Sequence, residues 1–461
     1  MLLRRDPASY TDPNGFVFWQ EDQVYRRIYR ESAAYFRELL RSPAIAALQE
    51  AGHLVPTTFE NDGDELLLRH ETIWPLSYPH EWCAPMLRDA ALLTLEVAST
   101  LAASGQILAD GHPWNVLFRA GRPVFIDWGS ITPPSDTLIW PAAAQFQRFQ
   151  LYPLHLYAAG QPELARARLA DLALGVSADL ALRALPLGYK LAHPIATAKL
   201  KANQAAERMA ARWEPRQATA SRPVNADTLQ TSRRFYFAGL EREVAAMPLE
   251  RAASRWADYY AACPSMDAEA AAKKQHLVAG LFEELKPASI VDLGTNTGQY
   301  ALMAARAGAR VVAVDQDPAS IAALYAQVRA EKLDVLPLVM DLGNPSGANG
   351  WCAEQRPDAP SRLRADLSLM LALIHHLVFT GNVNFQQIAR MASLFSRRHT
   401  LIEWVAPEDP MALHLRRTAT KDFGFYRLEG LCDALTQEGF EIRLLEPHAE
   451  TRRLLLATRR N

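Results

Sequence analysis

The sequence predicts a two-domain chain, an α+β part followed by an α/β part that closes on a β-hairpin. Three observations predict it. First, residues 290–317 (IVDLGTNTGQYALMAARAGARVVAVDQD) set a glycine-bearing turn and a helical pattern between two apolar runs, and strand and helix patterns go on alternating beyond them. Second, residues 214–234 (EPRQATASRPVNADTLQTSRR) are polar, proline-containing and almost without large apolar side chains, which reads as a linker. Third, the chain before that linker passes from short apolar runs to a long helical stretch. The expected division is 1–213, a linker at 214–234, and 235–461, with leading helices over 235–285 and the α/β core over 286–461.

A length of 461 residues fits two or three domains, and 49% hydrophobic with 22% charged residues is enough apolar material for large cores. The formal charge of −2 argues against a generally basic nucleic-acid binder. Cys83, Cys263, Cys352 and Cys432 lie far apart with neither C-x-x-C nor zinc spacing, so no disulfide framework and no metal site is expected. The first ten residues carry no apolar signal-like run and no segment reaches the length of a membrane span, so a soluble cytoplasmic protein is expected.

In the first part, residues 15–29 read as a hairpin around the polar turn 20–23. A helix is expected over 32–51, a strand over 65–69, and a long helix over 85–104 with Leu92, Leu95, Val97 and Leu101 among its apolar positions. Residues 107–131 (ILADGHPWNVLFRAGRPVFIDWGSI) then place Asn115 five positions after Asp110, and Asp127-Trp128-Gly129 at the end of an apolar strand. An acid beside an attacking hydroxyl, with two oxygen ligands for a hard cation, is what phosphoryl transfer needs. This stretch resembles the catalytic core of protein-kinase-like folds, especially the aminoglycoside-phosphotransferase branch. The resemblance implies Asp110 as base, with Asn115 and Asp127 holding metal. Several positions depart from it. Leu108 stands where histidine is usual, no glycine-rich loop precedes it beyond Gly15, and Arg26 and Arg27 stand where a nucleotide-binding lysine is sought. These departures favour a scaffold or substrate-binding domain over an active kinase. Residues 135–213 are helical in pattern, with Phe146, Phe149, Leu151 and Leu154 in one apolar stripe interrupted by Pro153, as the closing helices of such a domain would be.

After the linker, 235–284 read as helices carrying Trp256, Tyr259, Tyr260 and Lys274, each read as ordinary packing. A buried strand at 289–293 follows. The turn Gly294-Thr295-Asn296-Thr297-Gly298 opens a helix from about Gln299 to Ala307, capped by Gly308, and a β-branched strand at 310–314 stops at Asp315. Such a β-α-β unit holds a nucleotide: glycines let the backbone approach, the helix start offers free N–H groups, and an acid lies where ribose hydroxyls fall. The remaining order is helix 319–330, strand 335–340 ending at Asp341, a turn at Asn344-Pro345, and strand 366–373 running into His375-His376. Helix 385–394, strand 399–407 with Glu403, and two terminal strands joined at 447–450 complete it.

Glycine spacing separates the possible nucleotides. A dinucleotide fingerprint needs G-x-G-x-x-G, but Asn296 and Gln299 fill its second and third glycine positions. Asp292-x-Gly294-x-x-x-Gly298 instead resembles motif I of class I S-adenosylmethionine (SAM) methyltransferases, with Asn296 where many members carry glycine. The resemblance implies that Asp292 lies near the methionine moiety, Asp315 grips the ribose and Asp341 accepts from the adenine amino group. A Rossmann-like core with a final β-hairpin is the fold it implies. Asp315, Asp341, His375 and Glu403 then belong at the carboxyl ends of the strands, where such sheets bind ligands. His376 is the preferred candidate for a base, His375 the second, and Glu403 could orient either from the adjacent strand.

Taken whole, the motifs IDWGS, WADYY, VDLGTNTG, NPSGANGW, ALIHHL and IEWVAPEDP resemble a bacterial family in which a kinase-like region precedes a class I methyltransferase, some members being associated with nodulation or surface-glycan modification. The expected function is methyl transfer from SAM to an oxygen or nitrogen on a small molecule or glycan, the first domain serving as scaffold or substrate-binding module. Two alternatives stand beside it, a bifunctional kinase-methyltransferase and a non-catalytic ligand-sensing scaffold.

Overall fold

Alternation of apolar side chains builds the first sheet of the protein, seen in a computed structural model that describes residues 4–63, 65–133, 139–212, 226–249, 268–417 and 422–460. The strands β1 (Arg4–Arg5), β2 (Gly15–Gln20), β3 (Gln23–Ile28), β4 (Thr57–Asp62) and β5 (Leu66–His70) form an antiparallel sheet in the order β1-β2-β3-β5-β4. The period of two turns Arg26 and Ile28 of β3 to the buried face. The helix expected over 32–51 is two helices, Arg30–Leu40 and Pro43–Glu50. Proline at 43 cannot continue the first helix, but suits the opening turn of the second. β4 was not expected, because its sequence, TTFEND, is polar and it lies at the sheet edge.

The helix Ala84–Ala103 follows, with Leu87, Ala91, Leu95 and Ala98 among its buried residues. Two short pairs then carry the Asp110–Asp127 loops: β6 (Ile107–Leu108) with β9 (Ile131–Thr132), and the hairpin of β7 (Val116–Arg119) with β8 (Arg122–Phe125). The remainder is helical and ends with Pro194–Arg212 and Ala226–Ala245.

That last helix corrects the expected division. The chain separates into two units at residue 250, so 226–249 is neither linker nor part of the second domain. Its buried Phe237, Leu240 and Val244 recur at helical spacing and fix it to the first unit. Phe237 meets the Trp140 ring edge-on at 5.2 Å between centroids, and Gln230 donates to the Ala103 carbonyl at 3.3 Å. Residues 214–225, with Trp256, Tyr259 and Tyr260, lie outside the described residues.

In the second unit seven strands form one sheet: β10 (Ser289–Leu293), β11 (Arg310–Asp315), β12 (Val335–Val339), β13 (Ala365–Met370), β14 (Ser396–Val405), β15 (Phe440–Ala449) and β16 (Arg452–Arg459). Their order is β12-β11-β10-β13-β14-β16-β15, parallel from β12 to β14, with β16 antiparallel to both its neighbours. The inner strands read as continuous apolar runs because helices cover both faces, and every residue of β10 is buried. Numbered within the unit the order is 3-2-1-4-5-7-6, a doubly wound plan with the expected terminal hairpin inserted at its edge.

The turn after β10 is held by packing. Gly298 has φ +86°, and a Cβ there would fall 2.3 Å from Leu324 of the helix Pro318–Glu331; Gly294 has φ +79° and would place one 2.9 Å from Leu373. Leu373 belongs to the loop after β13, so motif I and the histidine-bearing loop are pressed together at the carboxyl ends of the central strands.

Candidate functional site

The site begins with two acids at neighbouring strand ends. Asp292 is buried in β10 and accepts a hydrogen bond from the Thr295 hydroxyl at 2.7 Å; burial pushes its carboxyl up to about 6 against that bond. Asp315 closes β11. Its Oδ2 accepts the Asn296 N–H at 2.8 Å and its Oδ1 the Asp317 N–H at 2.9 Å, while burial raises its pKa. Each carboxylate oxygen has a second lone pair, so the fixed carboxylate can still accept two hydroxyls. Asn296 sits at φ +53°, a left-handed conformation that asparagine tolerates, and this presents its N–H to Asp315. Asp341 follows β12 and is exposed, with its Oδ1 accepting the Gly343 N–H at 2.8 Å.

These residues fit the expected cofactor. A buried and a half-buried carboxylate, both with raised pKa values, are what a ligand ammonium and a pair of ribose hydroxyls would relieve. The structure brings Asp292, Gly294, Asn296, Gly298 and Asp315 together around one turn; Asp341 lies beyond them on the next strand, open to solvent.

The histidines lie on the short helix Ile374–Phe379, which follows β13. His375 is fully buried, and neither of its ring nitrogens has a hydrogen-bond partner among the described residues. Burial, His376 and Arg452 hold its pKa well below the usual histidine value. His376 is half-buried, and burial with Arg452 lowers it to about 4. Both are therefore neutral imidazoles at neutral pH. Their rings stand 4.2 Å apart between centroids.

Glu403 makes no hydrogen bond to the His375 ring. It is fully buried in β14, where its Oε2 receives the Lys274 ammonium at 2.5 Å and the Ala372 N–H at 2.8 Å, and its Oε1 meets His448 Nε2 at 3.1 Å. Burial alone would raise its pKa, but Lys274, the His448 bond and Arg452 outweigh it and hold the carboxyl far below the usual range. The Ala372 contact matters for the site. Ala372 has φ +51° in the loop that leads to the histidines, so Glu403 holds the backbone of that loop.

Sequence reasoning treated Lys274 as packing and did not single out Asp409, His448 or Arg452. Lys274 lies on the helix Ala268–Leu285 and stands 5.0 Å over the Tyr300 ring, and Arg452 Nε donates to Asp409 Oδ2 at 2.8 Å. A signal for Lys274 was present: Ala270, Lys274, Val278, Leu281 and Phe282 form the buried stripe of that helix, and Lys274 is the cation on it.

In the first unit Asp110 turns its Oδ1 to the His112 N–H at 2.8 Å, and Asn115 has a buried Nδ2 without a partner among the described residues. Asp127 caps the turn behind it by accepting the Gly129 N–H at 2.9 Å, and also receives Arg26 Nη2 at 3.1 Å. His70 on β5 bonds the Thr57 hydroxyl at 2.7 Å, and burial with the Arg26 charge lowers its pKa to about 3.

The 3-2-1-4-5-7-6 sheet, with a glycine-bearing turn after its first strand and an acid closing its second, is the arrangement that the resemblance to class I SAM-dependent methyltransferases implies. No protein-family model matches the chain. It is 28% identical over 447 residues to nodulation protein NoeA of Rhizobium meliloti (strain 1021), an alignment that covers 94% of this chain and 92% of that protein. Among solved structures, it is similar to the magnesium protoporphyrin IX methyltransferase of Synechocystis PCC 6803 with bound SAH (15% identity, 42% of this chain and 85% of that one, TM-score 0.31). It is also similar to the bifunctional kinase-methyltransferase WbdD (15% identity, 47% of this chain and 45% of that one, TM-score 0.30). No helix among the described residues is long and apolar enough to cross a membrane.

Proposed function

We propose that the second unit transfers the methyl group of SAM to an oxygen or nitrogen of a small molecule or glycan, with the first unit as scaffold or substrate-binding module. The observation that carries this reading is the Asp315 carboxylate, half-buried at the end of β11 and tied by two backbone N–H groups, one of them in the motif I turn. A carboxylate so fixed is a ready bidentate acceptor for vicinal hydroxyls. Asp292, one strand over, is the partner for the cofactor's ammonium, and Asp341 the acceptor for its adenine amino group. SAM supplies the electrophilic methyl; the chain's residues hold it, exclude water and place the acceptor.

His376, half-buried and neutral, is the group that takes the proton from a hydroxyl acceptor. His375, sealed behind it with both ring nitrogens unpartnered among the described residues, is the positioning residue. Similarity to a nodulation protein over nearly the whole of both chains supports a role in nodulation.

The test is calorimetry of SAM with the full chain. Wild type should bind SAM, and Asp315→Ala should lose about 1–3 kcal/mol of that binding. Equal affinity in the two proteins would remove the assignment, and binding of NAD in place of SAM would remove the class of function. Incubation of the full chain with isotope-labelled SAM and extract fractions, followed by mass spectrometry, then identifies the labelled acceptor.

A further inference from the structure

The resemblance of the first unit's loops to a phosphotransfer site implies magnesium on Asp127 and Asn115, and the residues present do not fit it. We infer that the Arg26 guanidinium is the resident cation of this site, standing where the metal would be and closing the first unit to metal-bound nucleotide. This goes beyond the methyl-transfer reading and does not depend on it.

Arg26 reaches the site because the pleat of β3 turns it inward, and it is only 4% exposed. One arm of its fork, Nη2, lies 3.1 Å from Asp127 Oδ1, and the other, Nη1, pairs with Asp12 Oδ2. Asp12 is itself anchored, since its Oδ1 accepts the Asn14 N–H at 2.8 Å. Asn14 in turn donates to the Gly129 carbonyl at 3.4 Å and accepts the Ser32 hydroxyl at 3.0 Å. Residues 12–14 therefore lie directly on the Asp127-Trp128-Gly129 turn. Gly129 is what allows that approach: a Cβ there would stand 2.8 Å from Asp12 Oδ2 and 2.9 Å from Arg26 Nη1.

Two carboxylates are thus held by one guanidinium, Asp12 nearly buried and Asp127 half-buried. Magnesium takes oxygen ligands at about 2.0–2.1 Å in near-octahedral geometry, but Asp127 Oδ1 already receives Arg26 and the Gly129 N–H. A divalent ion on that carboxylate would sit against a buried guanidinium, which stays charged and has no solvent to move into. Among the described residues, no three His, Cys, Asp or Glu side chains converge as a metal site. Arginine in the place of a nucleotide-binding lysine is thus a change of role: a planar fork that bridges two carboxylates replaces both the phosphate contact and the ion.

The experiment uses the full chain, with Mn²⁺ and ATP followed by electron paramagnetic resonance and Mg²⁺-ATP followed by thermal unfolding. Wild type should bind no Mn²⁺ at this site and show no magnesium-dependent shift with ATP. Arg26→Met keeps the aliphatic bulk, removes the cation and leaves Asp12 and Asp127 facing each other. It should bind Mn²⁺ about tenfold more tightly than wild type, or better, and Arg26→Met/Asp127→Asn should lose that gain. A magnesium-dependent ATP shift in wild type that Asp127→Asn abolishes would overturn the inference. So would a folded Arg26→Met chain with no gain in Mn²⁺ affinity. The wild-type arm needs no variant, so it decides the matter even if Arg26→Met does not fold.

Discussion

Lys274→Met is the perturbation whose outcome follows most directly from the structure. Lys274 is 1% exposed and its ammonium is held by Glu403, which is fully buried, so the substitution removes one partner of a buried ion pair while keeping most of the side-chain volume. Breaking such a pair costs about 3–5 kcal/mol, because the remaining charge is left in a low-dielectric interior. Glu403 keeps the Ala372 N–H, His448 and Arg452 at 3.7 Å, which places the expected cost at the lower end, about 3 kcal/mol. For a unit of roughly 200 residues each kcal/mol moves Tm by about 2–4 °C, so a fall of about 6–12 °C is expected. The assay is differential scanning calorimetry of the full chain, in which the transition of the second unit is the one that SAM raises. A shift of that transition by less than about 2 °C would refute the reasoning. A double-mutant cycle with Glu403→Leu gives a second check: the two effects should fall short of adding by more than about 1 kcal/mol, and strict additivity would mean that the pair is not coupled.

Asp292 makes a prediction in pH. Its folded pKa, about 6, lies above the ordinary 3.8, so the folded chain holds this proton more tightly than the unfolded chain, and stability falls as pH rises from about 4 through 6, by at most about 3 kcal/mol. Urea unfolding of the cofactor-free chain should show that loss in the difference between wild type and Asp292→Asn, and identical pH slopes would refute it. His376 makes one in catalysis: with a labelled acceptor in hand, His376→Asn should lower turnover by about 10²–10⁴ at unchanged SAM affinity and remove the acidic limb, which a pKa of about 4 places at low pH in the free enzyme. Turnover within a few-fold of wild type would assign His376 to packing.

How much of this was legible in the sequence depended on whether a residue's partner was local. The strands of the second unit were, because β10 to β14 are buried on both faces and read as apolar runs punctuated by glycine and acids. Asp315 was legible for the same reason: its place follows from a turn and a strand adjacent in sequence. The polar start of the helix Ala226–Ala245 read as linker, and its helical spacing at Phe237, Leu240 and Val244 did not say which unit it packs on. Glu403 could be placed at a strand end, but its cation Lys274, read as ordinary packing, lies 129 residues away on a helix whose sequence does not name its partner.

Arg26 was singled out, but its pairing was hidden in the same way, with Asp127 101 positions further on. In both units the charges that define the site stand where the local pattern calls for an apolar side chain, Lys274 on a helical stripe and Arg26 on the inward face of a strand. Burying a charge is so costly that such a residue persists only with a partner built around it. A cation at a buried position of an amphipathic pattern therefore points to a counter-charge that sequence neighbours do not supply, and local rules fail in this way at functional positions. Here that reasoning leads to the Glu403 cluster beside the histidines in one unit and to the Asp12–Asp127 pair in the other.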